Sequence, residues 1–224
     1  SLPVMEGKAL LFREFAKIDA WPICLDTKDP DKIIETCRLI APSFGGINLE
    51  DISAPRCFQI EEALQDLGIP VFHDDQHGTA IVLLAGLINA AKVVNKGLGD
   101  LRVVINGAGA AGTAIAKLIS GVGVEEASVD PVQDVLLCDS KGIISRDRED
   151  LNEEKRKLLT FSNTNNVSGS LKEALNDADV FIGVSKGNLL TAMDVSSMAD
   201  NAIIFGMANP VPEIMPEEAY KGGA

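Results

Sequence analysis

The sequence of 224 residues carries 33 acidic and 20 basic side chains, a formal net charge of −13, and 46% of its residues are hydrophobic. This acidic field repels nucleic acid and anionic membranes, so neither is expected as a partner, and an anionic substrate would need a local cation, either a lysine or a metal ion. The hydrophobic fraction excludes a chain that is disordered by composition, and the scarcity of aromatic residues favours an α/β protein with a parallel sheet.

The cysteines and the apolar stretches predict a cytoplasmic protein. Four cysteines are scattered without a CxxC pair and only two histidines are present, so we expect reduced thiols rather than a zinc site. No signal peptide is visible, and the most apolar stretch, 80–92, is too short to span a bilayer. Because the first residue is not Met, we expect the chain to begin inside a longer protein.

In the first part of the chain, short apolar runs alternate with periodic segments, which is typical of βαβ units. Helices are predicted at 8–17, with Leu10, Leu11 and Phe15 on its apolar side, at 29–40 and at 56–67. Strands are predicted at 21–26, 46–51 and 69–75. Asp29 and Pro30 suit the N-cap and the first position of the second helix.

The character of the sequence changes near residues 76–80, where we place a domain boundary. A long apolar helix opens at Gly78 and Thr79 and ends near 96–97. Further strands are predicted at 101–106, 134–139, 179–185 and 202–206, with helices at 113–120 and 170–177 and an enlarged loop at 124–133. This pattern predicts a second α/β unit of the Rossmann type.

Two acidic pairs close consecutive predicted strands: Glu50 with Asp51, and Asp74 with Asp75. The carboxyl ends of neighbouring parallel strands lie about 5 Å apart, so the two pairs should converge. Clustered carboxylates repel one another unless a cation is bound, and an all-oxygen site indicates Mg²⁺ or Mn²⁺. The alternative is that these residues are solvated loop residues or helix caps.

A glycine-rich loop follows the strand at 101–106 and opens a helix. Its sequence GAGAAG, at 107–112, matches the dinucleotide-binding pattern GxGxxG. Gly107 allows a tight turn, Gly109 lets backbone N–H groups approach a pyrophosphate at the helix N-terminus, and Gly112 allows close contact between helix and strand. The segment therefore predicts dinucleotide binding.

Three later residues are candidates for the same cofactor cleft. Asp139 ends the next strand, where an acidic residue accepts hydrogen bonds from the ribose hydroxyls and favours NAD over NADP. The nearby Lys141 could meet a 2′-phosphate and weakens that inference, so NADP stays possible. Ser185 and Asn209 follow two further strands and are expected to line the cleft, although ordinary turn chemistry explains them equally well.

Several segments together resemble the malic enzymes of the shorter, prokaryotic type. They are PVMEGK at 3–8, INLED at 47–51, VFHDDQHGTA at 71–80, GAGAAG at 107–112 and ANP at 208–210, in the order found in that family. The resemblance runs from about residue 2 to about residue 219, and HDDQHGTA is its most specific part. It implies that residues 1–78 are the C-terminal portion of a substrate and metal domain, and that 79–224 form a Rossmann-type NAD-binding domain.

The resemblance also implies roles for individual residues. Lys8, which by itself looks like a solvated charge, matches the catalytic lysine, and Asp74 matches an aspartate beside the substrate that assists proton transfer. The implied metal ligands are Glu50, Asp51 and Asp75, and the implied cofactor contacts are Ala108, Gly109, Ala110, Ala111 and Asn209.

The activity implied is oxidative decarboxylation of malate to pyruvate with NAD or NADP and Mg²⁺ or Mn²⁺, in a homodimer. The family's catalytic tyrosine has no counterpart here, because Tyr220 stands elsewhere in the order of motifs, and the asparagine-rich segment after the NP motif is not seen. Two alternatives stay open: a metal-dependent oxaloacetate decarboxylase, and a catalytically inactive dinucleotide-binding fragment. Malate-dependent reduction of NAD separates both from a malic enzyme.

Overall fold

The computed structural model describes residues 2–123 and 130–224. The chain divides into two compact units, Ser1–Asp75 and Gln76–Ala224. Part of the predicted loop at 124–133 lies outside the described residues.

The first unit, described from residue 2 onward, combines short strands with helices. Its elements are α1 (Leu2–Leu11), a π-helical turn (Phe12–Ala16), α2 (Pro30–Ile40), β1 (Ile47–Leu49), α3 (Arg56–Ala63) and β2 (Val71–His73). The side chain of Asp29 accepts a hydrogen bond of 3.0 Å from the backbone N–H of Asp31, so the predicted cap of α2 is present. A small core lies between α2, α3 and the two parallel strands, and its buried residues are Ile33, Cys37, Leu49, Ile60 and Leu64.

Two predictions for the segment before α2 are wrong. No strand forms at 21–26, where Trp21 is 75% exposed, because β1 and β2 pair with each other and leave that segment without a partner. The predicted helix at 8–17 begins earlier, at Leu2, and its predicted apolar side is exposed to solvent at Leu10, Leu11 and Phe15.

A long helix, α4 (Asp74–Val93), starts with the last two residues of the first unit and continues in the second. The prediction that Asp74 and Asp75 end a strand is therefore wrong by two residues, because β2 stops at His73 and both aspartates lie in the first helical turn. Acidic side chains are favourable there, since the N-terminus of a helix carries a partial positive charge.

The second unit is built on a five-stranded sheet with the order β5-β4-β3-β6-β7. Its strands are β3 (Arg102–Asn106), β4 (Asp134–Asp139), β5 (Gly142–Ile143), β6 (Val180–Gly183) and β7 (Ile203–Gly206). Its further helices are α5 (Ala110–Ile119), α6 (Glu153–Leu158), α7 (Leu171–Leu175), α8 (Ala192–Val195) and α9 (Pro216–Gly222). All neighbouring strands pair in parallel except β5, which is antiparallel to β4.

Helices cover both faces of this sheet. Val103 and Ile105 of β3 belong to a core cluster with Leu87 of α4 and Ile115 of α5, whereas Val104 belongs to a second cluster that includes residues of α7 and α8. Successive residues of a strand point to opposite faces, so a strand buried on both sides is apolar throughout. The predicted α/β class with parallel βαβ units is confirmed, and the strand β5 and the short helices α6, α8 and α9 were not predicted.

Within the described part of the chain, no helix is long and apolar enough to cross a membrane.

Candidate active site

Lys8 is the centre of a charged group in the first unit. Its Nζ lies 2.6 Å from Oε2 of Glu50 and also contacts Oδ2 of Asp74. Glu50 directly follows β1 and Asp74 directly follows β2, so the ends of two paired parallel strands bring the two carboxylates to the same lysine. The exposed fraction of the side chain is 25% for Lys8 and 8% for Glu50, so the ion pair is partly shielded from water.

Asp51 and Asp75, the other predicted metal ligands, take different backbone conformations. Asp51 has a left-handed φ of 60°, which Asp adopts more readily than most residues, and Asp75 lies in the first turn of α4. Over residues 2–123 and 130–224, no group of three or more His, Cys, Asp or Glu side chains is arranged to hold a metal ion. The oxygen chemistry of Glu50, Asp51 and Asp75 fits Mg²⁺ or Mn²⁺, but this conformation does not gather the three carboxylates at one point.

His73 is buried between these acidic residues. The side chain is fully shielded from solvent, and neither ring nitrogen has a hydrogen-bond partner among the described residues. Burial lowers the pKa of His73, although the nearby carboxylates of Asp75 and Glu61 act in the opposite direction. Burial therefore favours the neutral form of the imidazole at this position.

The glycine-rich loop between β3 and α5 has the geometry of a dinucleotide loop. Gly107 has φ 128°, a conformation that side chains rarely adopt, and its N–H donates a hydrogen bond of 2.9 Å to the carbonyl oxygen of Cys138. A Cβ on Gly112 would overlap the carbonyl oxygen of Gly107, whereas a Cβ on Gly109 would meet no atom within 4 Å. Gly112 therefore serves the packing of helix against loop, and Gly109 leaves open space at the helix N-terminus.

Asp139 ends β4 with both carboxylate oxygens already bonded. Arg148 donates hydrogen bonds of 2.8 Å to Oδ1 and 3.0 Å to Oδ2, Lys155 donates one of 2.5 Å to Oδ2, and the backbone N–H of Lys141 donates one of 2.9 Å to Oδ1. Burial raises the pKa of Asp139, but the hydrogen bonds from Arg148 and Lys155 outweigh burial and lower it to about 2. The predicted ribose acceptor is thus an ionised residue of a cationic cluster.

The two loops that follow β6 and β7 carry the last predicted contacts. The hydroxyl of Ser185 accepts a hydrogen bond of 2.8 Å from the side-chain amide of Asn106, at the end of β3. Asn209 is exposed in the turn after β7. Since β3, β6 and β7 are neighbouring parallel strands, Ser185 and Asn209 lie at the same edge of the sheet as the glycine-rich loop.

Family models match most of the chain. The model of the malic enzyme NAD-binding domain matches residues 76–222, and that of the malic enzyme N-terminal domain matches residues 27–65. The chain belongs to the malic enzyme family. The second unit, with its parallel sheet and glycine-rich loop, is accordingly a Rossmann-type NAD-binding domain.

Curated malic enzymes are similar over the full chain. The bifunctional malic/malolactic enzyme of Bacillus subtilis is 55% identical, over 100% of this chain and 53% of its own length. The NAD-dependent malic enzyme of Geobacillus stearothermophilus is 54% identical, over 98% of this chain and 44% of its own length. The NADP-dependent malic enzyme of Escherichia coli is 44% identical, over 96% of this chain and 27% of its own length. The chain thus spans about half the length of the first two relatives.

Solved malic enzyme structures have the same fold. The NAD-dependent malic enzyme of Thermotoga maritima matches with a TM-score of 0.92 and 47% identity, over 100% of this chain and 58% of its own. The malic enzyme of Pyrococcus horikoshii matches with a TM-score of 0.88 and 46% identity, over 100% of this chain and 52% of its own.

Three residues near the predicted sites were not predicted from the sequence. Arg148 and Lys155 hold Asp139, and Glu213 accepts backbone hydrogen bonds from the loop that carries Ser185. The run EEKRK at 153–157 resembles any solvated helix face, and Glu213 lies in a proline-rich segment that predicts only a loop. No local pattern distinguishes these charged residues from surface ones.

Proposed function

We propose that the protein catalyses the oxidative decarboxylation of malate to pyruvate and CO2, with NAD or NADP as hydride acceptor and a divalent cation. Membership of the malic enzyme family supports the reaction class. The observation that carries the proposal for this chain is the contact of Lys8 with Glu50 and Asp74 at the carboxyl ends of β1 and β2.

Lys8 is suited to acid–base work on the C2 hydroxyl of malate. Its side chain is 25% exposed, which leaves room for a substrate atom, and its two carboxylate partners fix the position of the amine. Asp74, which touches the same Nζ, takes one proton from the ammonium, and the neutral amine then accepts the proton of the C2 hydroxyl as C2 is oxidised. Lys8 also supplies positive charge for an anionic substrate in a chain of net charge −13.

The proposed metal site consists of three carboxylates that follow β1 and β2. Glu50, Asp51 and Asp75 are the residues that would hold a divalent cation, and their oxygen ligands suit Mg²⁺ or Mn²⁺. When bound, such an ion acts as a Lewis acid on substrate oxygens. In this conformation the three carboxylates do not form a ligand group.

We propose that the glycine-rich loop, 107–112, binds the pyrophosphate of the dinucleotide, and that Asp139, Ser185 and Asn209 line the cofactor cleft. Relatives of this chain include both NAD-dependent and NADP-dependent malic enzymes. Asp139 offers no unbonded carboxylate oxygen, and two cations stand beside it, so the residue does not by itself favour NAD.

Malate-dependent reduction of NAD and NADP tests the proposal, followed by the absorbance of the reduced nicotinamide in the full-length protein. We expect turnover that requires Mg²⁺ or Mn²⁺ and stops when EDTA removes the ion. Metal-dependent loss of CO2 from oxaloacetate, without any reduction of NAD or NADP by malate, would overturn the proposal. So would binding of NADH without any turnover.

We further propose a cytoplasmic homodimer. Cys37, Cys57 and Cys138 are free, buried thiols, as is usual in a reducing compartment. The exposed apolar side chains of α1 and the following π-helical turn, among them Leu10 and Phe15, are a surface that a second copy could cover. Light scattering of the full-length protein gives the oligomeric state, and a monomeric mass would contradict the dimer.

A further inference from the structure

Glu213 is a fully buried carboxylate at the edge of the sheet where the cofactor cleft is proposed. Its exposed fraction is 0%. Burying a carboxylate is costly unless hydrogen bonds compensate, so the position of Glu213 needs a structural reason. The residue lies in the segment between β7 and α9, outside every motif that the sequence analysis singled out.

The carboxylate of Glu213 joins two loops. Its Oε1 accepts a hydrogen bond of 3.0 Å from the backbone N–H of Ser185, in the loop after β6, and its Oε2 accepts one of 3.0 Å from the backbone N–H of Ala208, in the loop after β7. Gly183 lies directly against this carboxylate, and a Cβ at that position would overlap it. The strand end is therefore shaped around Glu213.

The backbone of the same segment reinforces the connection. The carbonyl oxygen of Glu213 accepts a hydrogen bond of 2.8 Å from the N–H of Leu189, and that of Pro212 accepts one of 3.0 Å from the N–H of Asn188. On the other side, the hydroxyl of Ser185 is held by Asn106, which is itself buried. A continuous chain of hydrogen bonds thus runs from the end of β3 through Ser185 and Glu213 to Ala208.

The strand order indicates which half of the dinucleotide meets these loops. In a Rossmann-type sheet the pyrophosphate lies at the glycine-rich loop after β3, and the ribose of the adenosine half lies at the end of the next strand, which is β4 here. β6 and β7 lie on the other side of β3, so their loops face the nicotinamide half.

We propose that Glu213 is a positioning residue for the nicotinamide half of the cofactor. It fixes the two loops that present Ser185 and Asn209, and it does not itself touch the reacting atoms. This inference rests on the proposed dinucleotide binding of the second unit. It predicts that loss of the carboxylate weakens ligands with a nicotinamide ring more than ligands without one.

The test compares the affinities of NADH and ADP, which lacks the nicotinamide and the ribose attached to it, by calorimetry on the full-length protein. Glu213→Gln keeps the size of the side chain but places an amide NH2 against one backbone donor. We expect the affinity for NADH to fall by about tenfold and that for ADP to change by less than about twofold, since a buried acceptor is lost on one loop only. Equal changes for both ligands, or no change, would overturn the inference.

Asp194→Asn is the matched control, because Asp194 is also a buried carboxylate of the second unit that accepts a backbone hydrogen bond, in its case from Thr191. It should lower the melting temperature without altering the ratio of the two affinities. If Glu213→Gln does not fold, Glu213→Asp replaces it, because the shorter carboxylate cannot reach both loops. The same comparison of the two ligand affinities then tests the inference. Failure of the wild type to bind either ligand would contradict the proposed function and not the role of Glu213.

Discussion

Arg148 binds Asp139 through two parallel hydrogen bonds, of 2.8 Å between Nη1 and Oδ1 and of 3.0 Å between Nη2 and Oδ2. The same guanidinium binds Asp150, and Lys155 binds Asp139 from another side. The side chain of Asp139 is only 9% exposed, so these ion pairs are screened little by water. The aspartate that is proposed to line the cofactor cleft is therefore held in place by two cationic side chains.

Asp139→Asn should destabilise the second unit in a pH-dependent way. The pKa of Asp139 lies at about 2, below the ordinary value of 3.8, so the ionised carboxylate contributes roughly 2 kcal/mol at neutral pH. The difference in unfolding free energy between wild type and variant should be constant above about pH 4, and it should shrink as the pH falls from about 4 towards 2. Denaturant unfolding followed at several pH values measures it.

Asp150→Asn is the control for that experiment, because it removes a more exposed partner of the same arginine. We expect little change in its unfolding midpoint. A loss of stability for Asp139→Asn that grows as the pH falls would contradict the assigned direction of the pKa.

Lys8→Ala should reduce kcat by about 10²–10⁴-fold, the usual contribution of a positioned acid–base group, and leave the dissociation constant of NADH within about twofold. Lys8→Arg should be nearly as inactive, because a guanidinium can keep the ion pairs with Glu50 and Asp74 but does not release its proton near neutral pH. Steady-state kinetics and a fluorescence titration with NADH give both quantities.

Lys32→Ala is the matched control, since Lys32 is an exposed lysine on α2 of the same unit. Its turnover should equal that of the wild type. Near-normal turnover in Lys8→Ala would remove Lys8 from the mechanism.

Asp51→Asn tests the predicted metal site without straining the backbone, because Asn also tolerates the left-handed φ of 60° at this position. Loss of one charged ligand should weaken Mn²⁺ binding by at least about tenfold in the folded variant. Calorimetric titration with Mn²⁺ measures affinity without reference to activity. Wild-type affinity in this variant would exclude Asp51 as a ligand.

Gly109→Ala and Gly112→Ala should separate binding from stability within one loop. A Cβ on Gly109 meets no atom within 4 Å, so Gly109→Ala should fold normally. The added methyl group blocks the approach of a pyrophosphate, so the affinity for NADH should fall by at least about tenfold. A Cβ on Gly112 overlaps the carbonyl oxygen of Gly107, so that variant should lose about 1–3 kcal/mol of stability. Normal NADH affinity in Gly109→Ala would contradict the assignment of the loop.

The parts of the fold that could be predicted are those with a strong local signal. The apolar runs at 101–106 and 134–139 gave strands within one residue of β3 and β4, and the cap at Asp29 placed α2 within one residue. The run at 21–26 has an equally apolar character and forms no strand, because pairing depends on a neighbour that the run itself does not specify. Short helices such as α8 are stabilised by tertiary packing, and they are too short to show a hydrophobic periodicity in the sequence.

The candidate site also has a part that could be predicted from local sequence and a part that could not. Glu50 and Asp74 could be expected to meet because each directly follows a strand of a parallel pair, and both contact Lys8. That Lys8 belongs with them followed only from the resemblance to malic enzymes, since an isolated lysine after Glu6 and Gly7 looks like a solvated charge.

The amino-acid sequence alone determined the α/β class, the strand–loop–helix around Gly107 and the family, because these depend on residue types within a few positions of one another. Tertiary structure alone decided which partners the charged side chains have. Asp139 is bound by an arginine nine positions away, and Glu213 accepts a hydrogen bond from the backbone of a residue 28 positions before it. The energy of a buried charge depends on the partners that folding brings to it, and those partners carry no local pattern.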